Sequence, residues 1–396
     1  MSIFWEGLFN GISIGSVLLI SALGLAIVFG LMGVINLAHG ELMMIGAYTT
    51  FVVQNIFKSF GEPWFNFYIL AAIPFAFLVA AIFGLILEKG VIRYLYGRPL
   101  ETLLATWGVS LILQQLVRSI SWSLFIAIAV FCLLVFLPLY ILSRRPNWSQ
   151  IKNWAIAIIL PISLGLSIVT GILINQSKQQ ALIRPWFSAR NVDVTAPSWL
   201  RGGFALESLE FQLPYTRLFI IGLTIICVFA TYWFLNKSNW GLRIRAVTQN
   251  RMMSSCLGIP TEKVDALTFA LGSGLAGIAG CAISFLGSVG PNTGQNYIVD
   301  AFMVVVVGGV GNLLGTIISA LAIGIINYII IVGSSSLALS FSTVVVPKDA
   351  WFNPTEFFNF FATTSMAKVL VFALIIAFLQ IKPAGLFPQK GRGVEL

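Results

Sequence analysis

The sequence predicts an all-α polytopic membrane protein, with about nine core transmembrane segments and an inserted two-helix hairpin. Three observations carry that expectation. Hydrophobic residues make up 58% of the chain and charged residues 9%, where soluble domains carry roughly a quarter charged residues. Apolar runs approach or reach the roughly 20 residues needed to cross the hydrocarbon core as a helix. The lysines and arginines fall in short segments between those runs, as topology-setting charges do. The net charge of +9 is therefore no nucleic-acid signal, and the bilayer is the expected partner.

The runs lie in order at 8–33, 39–57, 68–87, 102–118, 120–142, 154–175, 216–235, 265–289, 298–309, 312–333 and 364–381. The first opens with "GLFNGISIG", which sets Gly7, Gly11 and Gly15 on one face for close helix contact. No basic region precedes it, only Glu6, so a retained span is expected instead of a cleaved signal peptide. Between the first two runs "GLMGVINLAHGELMMIGAY" (30–48) holds the single histidine, His39, with Asn36 and Glu41. Runs 120–142 and 154–175 pair across "SRRPNWSQIK" as a hairpin. Run 265–289 contains "GSGLAG", which matches a dinucleotide fingerprint by letters alone. No strand precedes it, so small residues for helix approach are the expected role. Runs 298–309 and 312–333 flank "VGGVGN", and the shortness of the first predicts a half-helix before a full span. The chain then divides into an N-terminal core, 1–118, the inserted hairpin, 119–186, and a C-terminal core, 187–396.

Sidedness follows from the basic residues. Loops 88–101, 143–153 and 236–263 and the tail carry Lys89, Arg93, Arg98, Arg144, Arg145, Lys152, Lys237, Arg243, Arg245, Arg251, Lys263, Lys382, Lys390 and Arg392. All four are expected inside. Alternation then places the N-terminus, 176–215 and 334–363 outside, although 176–215 also holds Lys178, Arg184, Arg190 and Arg201.

Enzymatic chemistry finds no support. There is no phosphate loop, zinc motif or nucleophile elbow, and one histidine builds neither a metal cluster nor a serine triad. No cofactor or metal is expected. Cys132, Cys227, Cys256 and Cys281 are scattered without a C-x-x-C pair, as filler cysteines are.

Several stretches together carry a family resemblance: 30–48, "YGRPLETLLATWGVSLILQQLVR" (96–118), "FSARNVDVTAPSWLRGG" (187–203), "GLRIRAVTQNRMMSSCLGI" (241–259), "DAFMVVVVGGVGNLLGT" (300–316) and "KPAGLFPQKGR" (382–392). The chain resembles a permease subunit of the branched-chain amino-acid and urea class of bacterial ABC importers. Segments 97–115, 191–203 and 382–392 resemble most the first permease of the urea transporter. Two stretches depart from the family pattern: the hairpin between Arg118 and Phe187, and the long stretch 334–363.

The resemblance implies a multi-pass protein of the bacterial plasma membrane. Its implied partners are a second homologous permease, two ATPase subunits that hydrolyse the ATP, and an extracytoplasmic solute-binding protein. Urea is the first solute implied, with branched-chain or other amino acids or short amides as the alternative. The resemblance also puts the Asn36, His39 and Glu41 break near the translocation path. Residue chemistry leaves two roles open there: donors and acceptors for a small polar solute, or helix capping at the cytoplasmic edge. Thr106, Trp107 and Gln114 form a third polar group, and Gly308, Gly309 and Asn312 a second glycine break that echoes "GLMGVIN". Loop 236–263 resembles the cytoplasmic helix that docks on the ATPase, with Arg245, Ala246, Asn250, Met253 and Gly258 as the implied contacts. The competing readings are a stand-alone urea channel or secondary transporter, against which the coupling-like loop argues, and an intramembrane enzyme, which lacks a nucleophile.

Overall fold

The computed structural model describes residues 2–144, 148–176, 186–187, 191–206, 211–342, 360 and 363–387. Arg145, Lys178, Arg184, Arg190, Lys390, Arg392 and most of the long stretch 334–363 lie outside the described residues. The chain forms α1 (Ser2–Met32), α2 (His39–Ser59), the short α3 (Glu62–Phe65), α4 (Tyr68–Gly90), α5 (Pro99–Ser119), α6 (Trp122–Ser143) and α7 (Trp148–Gln176). An antiparallel pair follows, β1 (Gly203–Leu206) with β2 (Phe211–Pro214), in register from Gly203 opposite Pro214 to Leu206 opposite Phe211. Then come α8 (Tyr215–Lys237), α9 (Asn239–Gln249), α10 (Arg251–Cys256), α11 (Thr261–Ile283), α12 (Thr293–Gly308), α13 (Leu313–Ser342) and α14 (Thr364–Ile381).

Among the described residues, 8 helices are long and apolar enough to cross a membrane, and Met366–Ile381 is a shorter apolar helix. The all-α polytopic class stands. Two expected spans differ, each for a physical reason. α2 carries His39, Glu41, Gln54 and Lys58 and is too polar to count by hydropathy. The run expected at 265–289 stops at Ile283, and α12 begins only at Thr293 and spans 16 residues.

The chain separates into two compact units, Leu111–Val192 and the remainder. Within the smaller unit α6 and α7 pack as a hairpin, where Ser167 Oγ donates to the Ala127 carbonyl at 2.7 Å. Trp186 stacks against Trp122 and Phe125 at 4.9 and 5.2 Å. Leu133, Phe136, Ile168 and Leu173 along both helices are exposed, as a surface solvated by lipid requires. The hairpin adds an even number of crossings. Deleting 120–185 and joining Arg118 to Phe187 is therefore expected to leave an inserted protein with loop 236–263 still inside. Cysteine-accessibility mapping checks this, and a loop that moved outside would contradict it.

The larger unit is organised around α11, which is buried over most of its length and packs on α1, α2 and α4. Its small residues make that possible. A Cβ on Gly280 would strike the Met43 carbonyl, and one on Gly277 would strike Ala76. The "GSGLAG" sequence is thus helix-packing chemistry, as the absence of a preceding strand implied. α1 packs on α13 in the same way, with Gly11 against Ile325 and Gly15 against Ala320.

Candidate translocation break and coupling helices

α1 ends at Met32, and Gly33, at φ +68°, turns the chain out of the helix. Residues 33–38 then run non-helically until α2 starts at His39. The depth of this start follows from its neighbours. His39 Nε2 lies 3.0 Å from the Ser21 carbonyl, three residues before Gly24. Gly24 and Gly272 are in contact, each leaving no room for a Cβ on the other. Gly272 lies halfway along α11, which runs Thr261–Ile283. At 1.5 Å per residue the break is about 16 Å from the inner end of α11. It therefore sits level with the middle of α11. Asn36 is not the N-cap. Ala38 holds that place, and Asn36 Oδ1 accepts from the Ala38 N–H at 3.0 Å.

The break is buried and polar. Asn36, His39 and Glu41 are 1%, 0% and 1% exposed. α5 supplies partners from one face: Thr106 Oγ1 accepts from the Leu37 N–H at 3.2 Å, and Ser110 Oγ donates to Glu41 Oε1 at 3.1 Å. Nε2 of His39 faces a carbonyl, so it carries the proton and Nδ1 presents a lone pair. That Nδ1 and Asn36 Nδ2 have no protein partner among the described residues. Trp107 is not part of this group. It sits one residue off the Thr106–Ser110 face and is 53% exposed. Gln114 is buried but belongs to the smaller unit.

A second break, which sequence reasoning missed, meets the first. After α11 the chain leaves the helix over 284–292, and Thr293 opens α12, its Oγ1 accepting from the Gly290 N–H at 2.8 Å. Gly294 lies directly on Gly40, and neither tolerates a Cβ against the other's carbonyl. α2 runs from this meeting point along α11 toward its Ile283 end, with Gly46 on Gly277. α12 runs the opposite way, toward the Met32 end of α1, where Phe302 stacks on Phe29 at 5.8 Å. Two discontinuous helices thus start together and diverge, as in inverted-repeat transporters. The available signal was "PNTG" (291–294) between apolar residues.

The other glycine break has a different place. Gly309, at φ +97°, packs on the Phe387 backbone, and Gly308 on Gly315. Asn312 Oδ1 accepts from the Leu314 and Gly315 N–H groups at 3.1 and 3.3 Å and so caps α13. Gly308, Gly309 and Asn312 form a tight turn beside Gly30 near the inner end of α1, away from His39. The echo between "GGVGN" and "GLMGVIN" therefore marks no structural correspondence.

The basic loop forms α9 and α10. Asn250 caps α10, its Oδ1 accepting from the Met253 N–H at 2.9 Å. Gly258, at φ +81°, ends it, with the Ile259 N–H donating to the Ser254 carbonyl at 3.0 Å. Arg245 is exposed and donates to Asn236 Oδ1 at 3.3 Å, and Ala246 is half-buried. Met253, with Met252 and Leu257, is exposed at 62%, 83% and 78%. The loop is tied to the core by Arg251, which pairs with the buried Asp265 of α11 at 2.6 Å and lies over the Tyr96 ring at 4.5 Å. Burial, helped by Asp265 and Glu88, raises the Tyr96 phenol above its ordinary pKa, so it stays protonated. Arg93 pairs with Glu262 beside it. The sequence offered Arg251 only as one loop charge among several, and Asp265 as a lone acid at the start of an apolar run. Among the described residues no cluster could hold a metal ion.

The sequence profile of the family described as "Branched-chain amino acid transport system / permease component" matches residues 7–379. The high-affinity branched-chain amino acid transport system permease protein LivH of Escherichia coli is 26% identical over 384 residues, covering 97% of this chain and 95% of that protein. BraD of Pseudomonas aeruginosa, with the same description, is 26% identical over 327 residues, 81% and 84% of the two chains. The ribose import permease RbsC of Escherichia coli is 27% identical over 199 residues, 44% and 60% of the two. No solved structure matches. With the family profile covering nearly the whole helical core, the chain belongs to the branched-chain amino acid transport permeases, as a multi-pass plasma-membrane subunit of a bacterial ABC importer that transports and is not an enzyme.

Proposed function

We propose that the chain moves a small amino acid inward, across the break where α2 and α12 meet, using ATP hydrolysed by separate subunits. One observation carries the path: two helix starts converge at Gly40 and Gly294, next to buried polar atoms that lack protein partners. Leaving such an atom unpaired costs about 1–3 kcal/mol, and a passing solute or water removes that cost. The buried break fits the occluded part of an alternating-access cycle. Asn36, His39, Glu41 and Thr106 line it in this reading, and the α9–α10 loop docks on an ATPase through Met252, Met253 and Leu257. The partners proposed are two ATPases, a second homologous permease and an extracytoplasmic binding protein. The similarity to LivH and BraD, whose names specify branched-chain amino acids, favours an amino acid.

Urea is the second reading, supported by the residues at 97–115, 191–203 and 382–392 that resemble the urea permease. Reconstitution with candidate partners, followed by ATP hydrolysis with leucine, glutamine or urea, decides between them. Stimulation by leucine supports the first reading, and stimulation by urea alone the second. Urea that equilibrates without the ATPase would instead mark a channel.

A further inference from the structure

α12 carries a polar, exposed face at its start, beside α14. Asn292, Gln295, Asn296 and Val299 recur at helical spacing and are all exposed. The first three are polar, and they stand at the start of α12, level with Gly40. Amide side chains facing hydrocarbon would find no partner there. A polar face of this kind among apolar helices suits contact with water or a solute better than with lipid.

One cation stands on the same face. Lys368 of α14 donates to Asp300 Oδ2 at 2.8 Å and to the Asn296 carbonyl at 3.3 Å, and lies 5.8 Å from the Tyr297 ring centroid. Asp300 is largely buried, its side chain 11% exposed, whereas that of Lys368 is 37% exposed. The acid therefore holds the lysine from behind. The third ammonium hydrogen has no acceptor among the described residues and is left for something outside. Ionisable side chains inside a membrane mark solute or ion pathways by default.

We propose that Lys368, positioned by Asp300 and flanked by Asn292, Gln295 and Asn296, receives the carboxylate of an amino-acid solute. This rests on the importer reading and sharpens it, because urea has no carboxylate for Lys368 to read. Asp300 is a positioning residue, and Lys368 would be the group that touches solute. The alternative is an ion pair that only ties α12 to α14.

Uptake of leucine and of urea is measured in proteoliposomes holding the full complex, alongside thermal stability of the detergent-solubilised complex. Lys368→Met alone is expected to lower leucine uptake at least tenfold, and Lys368→Arg to restore most of it. The deciding variant removes both charges, Lys368→Met with Asp300→Asn. It leaves no unpaired buried charge, so stability returns near that of the wild type while leucine uptake stays lost. Recovery of uptake in that double variant would overturn the proposal and leave a structural ion pair. A wild-type complex that moves urea but not leucine would also overturn it, with the importer reading intact. A wild-type complex in which no solute stimulates ATP hydrolysis would instead fail the importer reading itself.

Discussion

Gly258→Val is expected to uncouple solute from ATP hydrolysis, lowering solute-stimulated turnover roughly tenfold or more, the equivalent of about 1.4 kcal/mol at the coupling step. Nothing lies within 4 Å of a Cβ built there, so the effect is conformational and not a clash. At φ +81° the backbone is left-handed, which costs an ordinary residue roughly 1–2 kcal/mol and a β-branched one more. Relief comes by undoing the end of α10, where Ile259 bonds back to Ser254 and Gly258 to Ser255. That turn carries Met253 and Leu257, the exposed apolar anchors. A few such anchors dominate the energy of a docking surface, with charges adding orientation and rate. Ala246→Glu should act in the same direction, and Lys237→Ala, at the edge of the loop, should change little. ATPase assays with and without solute, together with a pull-down of the ATPase, check all three. Full stimulation in both Gly258→Val and Ala246→Glu would reduce this loop to a topological anchor.

The second large effect is expected at the break. His39→Ala combined with Glu41→Gln should lower uptake more than tenfold, or over about 1.4 kcal/mol in barrier terms, while insertion and ATPase binding persist. The substitutions remove the imidazole at Ser21 and the carboxyl group that accepts from Ser110. A purely capping role predicts instead a stability loss on the order of 1 kcal/mol with transport retained. Uptake normalised to the folded, inserted protein separates the two.

Much of this was legible in the sequence because it is local. Gly7, Gly11 and Gly15 announced a close helix contact, and α13 supplies it. Loop 236–263 was expected to hold a helix, and it forms α9 and α10. Asn36, His39 and Glu41 stood out because polar groups in apolar surroundings need a reason. Depth was not legible. Phe285, Leu286 and Val289 carry the apolar run past the end of α11, and only the contact of Gly294 with Gly40 shows the chain turning back. Both glycines are silent in sequence, some 250 positions apart, and nothing local pairs them. Trp107 misled for the opposite reason. It adjoins Thr106, but one residue is 100° on a helix, and that turn carries it to the exposed side. The pairs Arg251–Asp265 and Lys368–Asp300 were likewise invisible, because each joins residues on different elements.

Solute is expected to cross at the break between α1 and α2, which opens to alternate sides. Leu37 is the place to test it, half-buried and held by its N–H to Thr106. With Cys132, Cys227, Cys256 and Cys281 replaced by serine or alanine, Leu37→Cys is exposed to a membrane-impermeant thiol reagent from each side of proteoliposomes. Labelling is followed in the resting complex and in one trapped with nucleotide, using protein that still transports. The account predicts reaction from one side at rest and from the opposite side when trapped. Reaction from the same side in both states, or none in either, would place the path elsewhere.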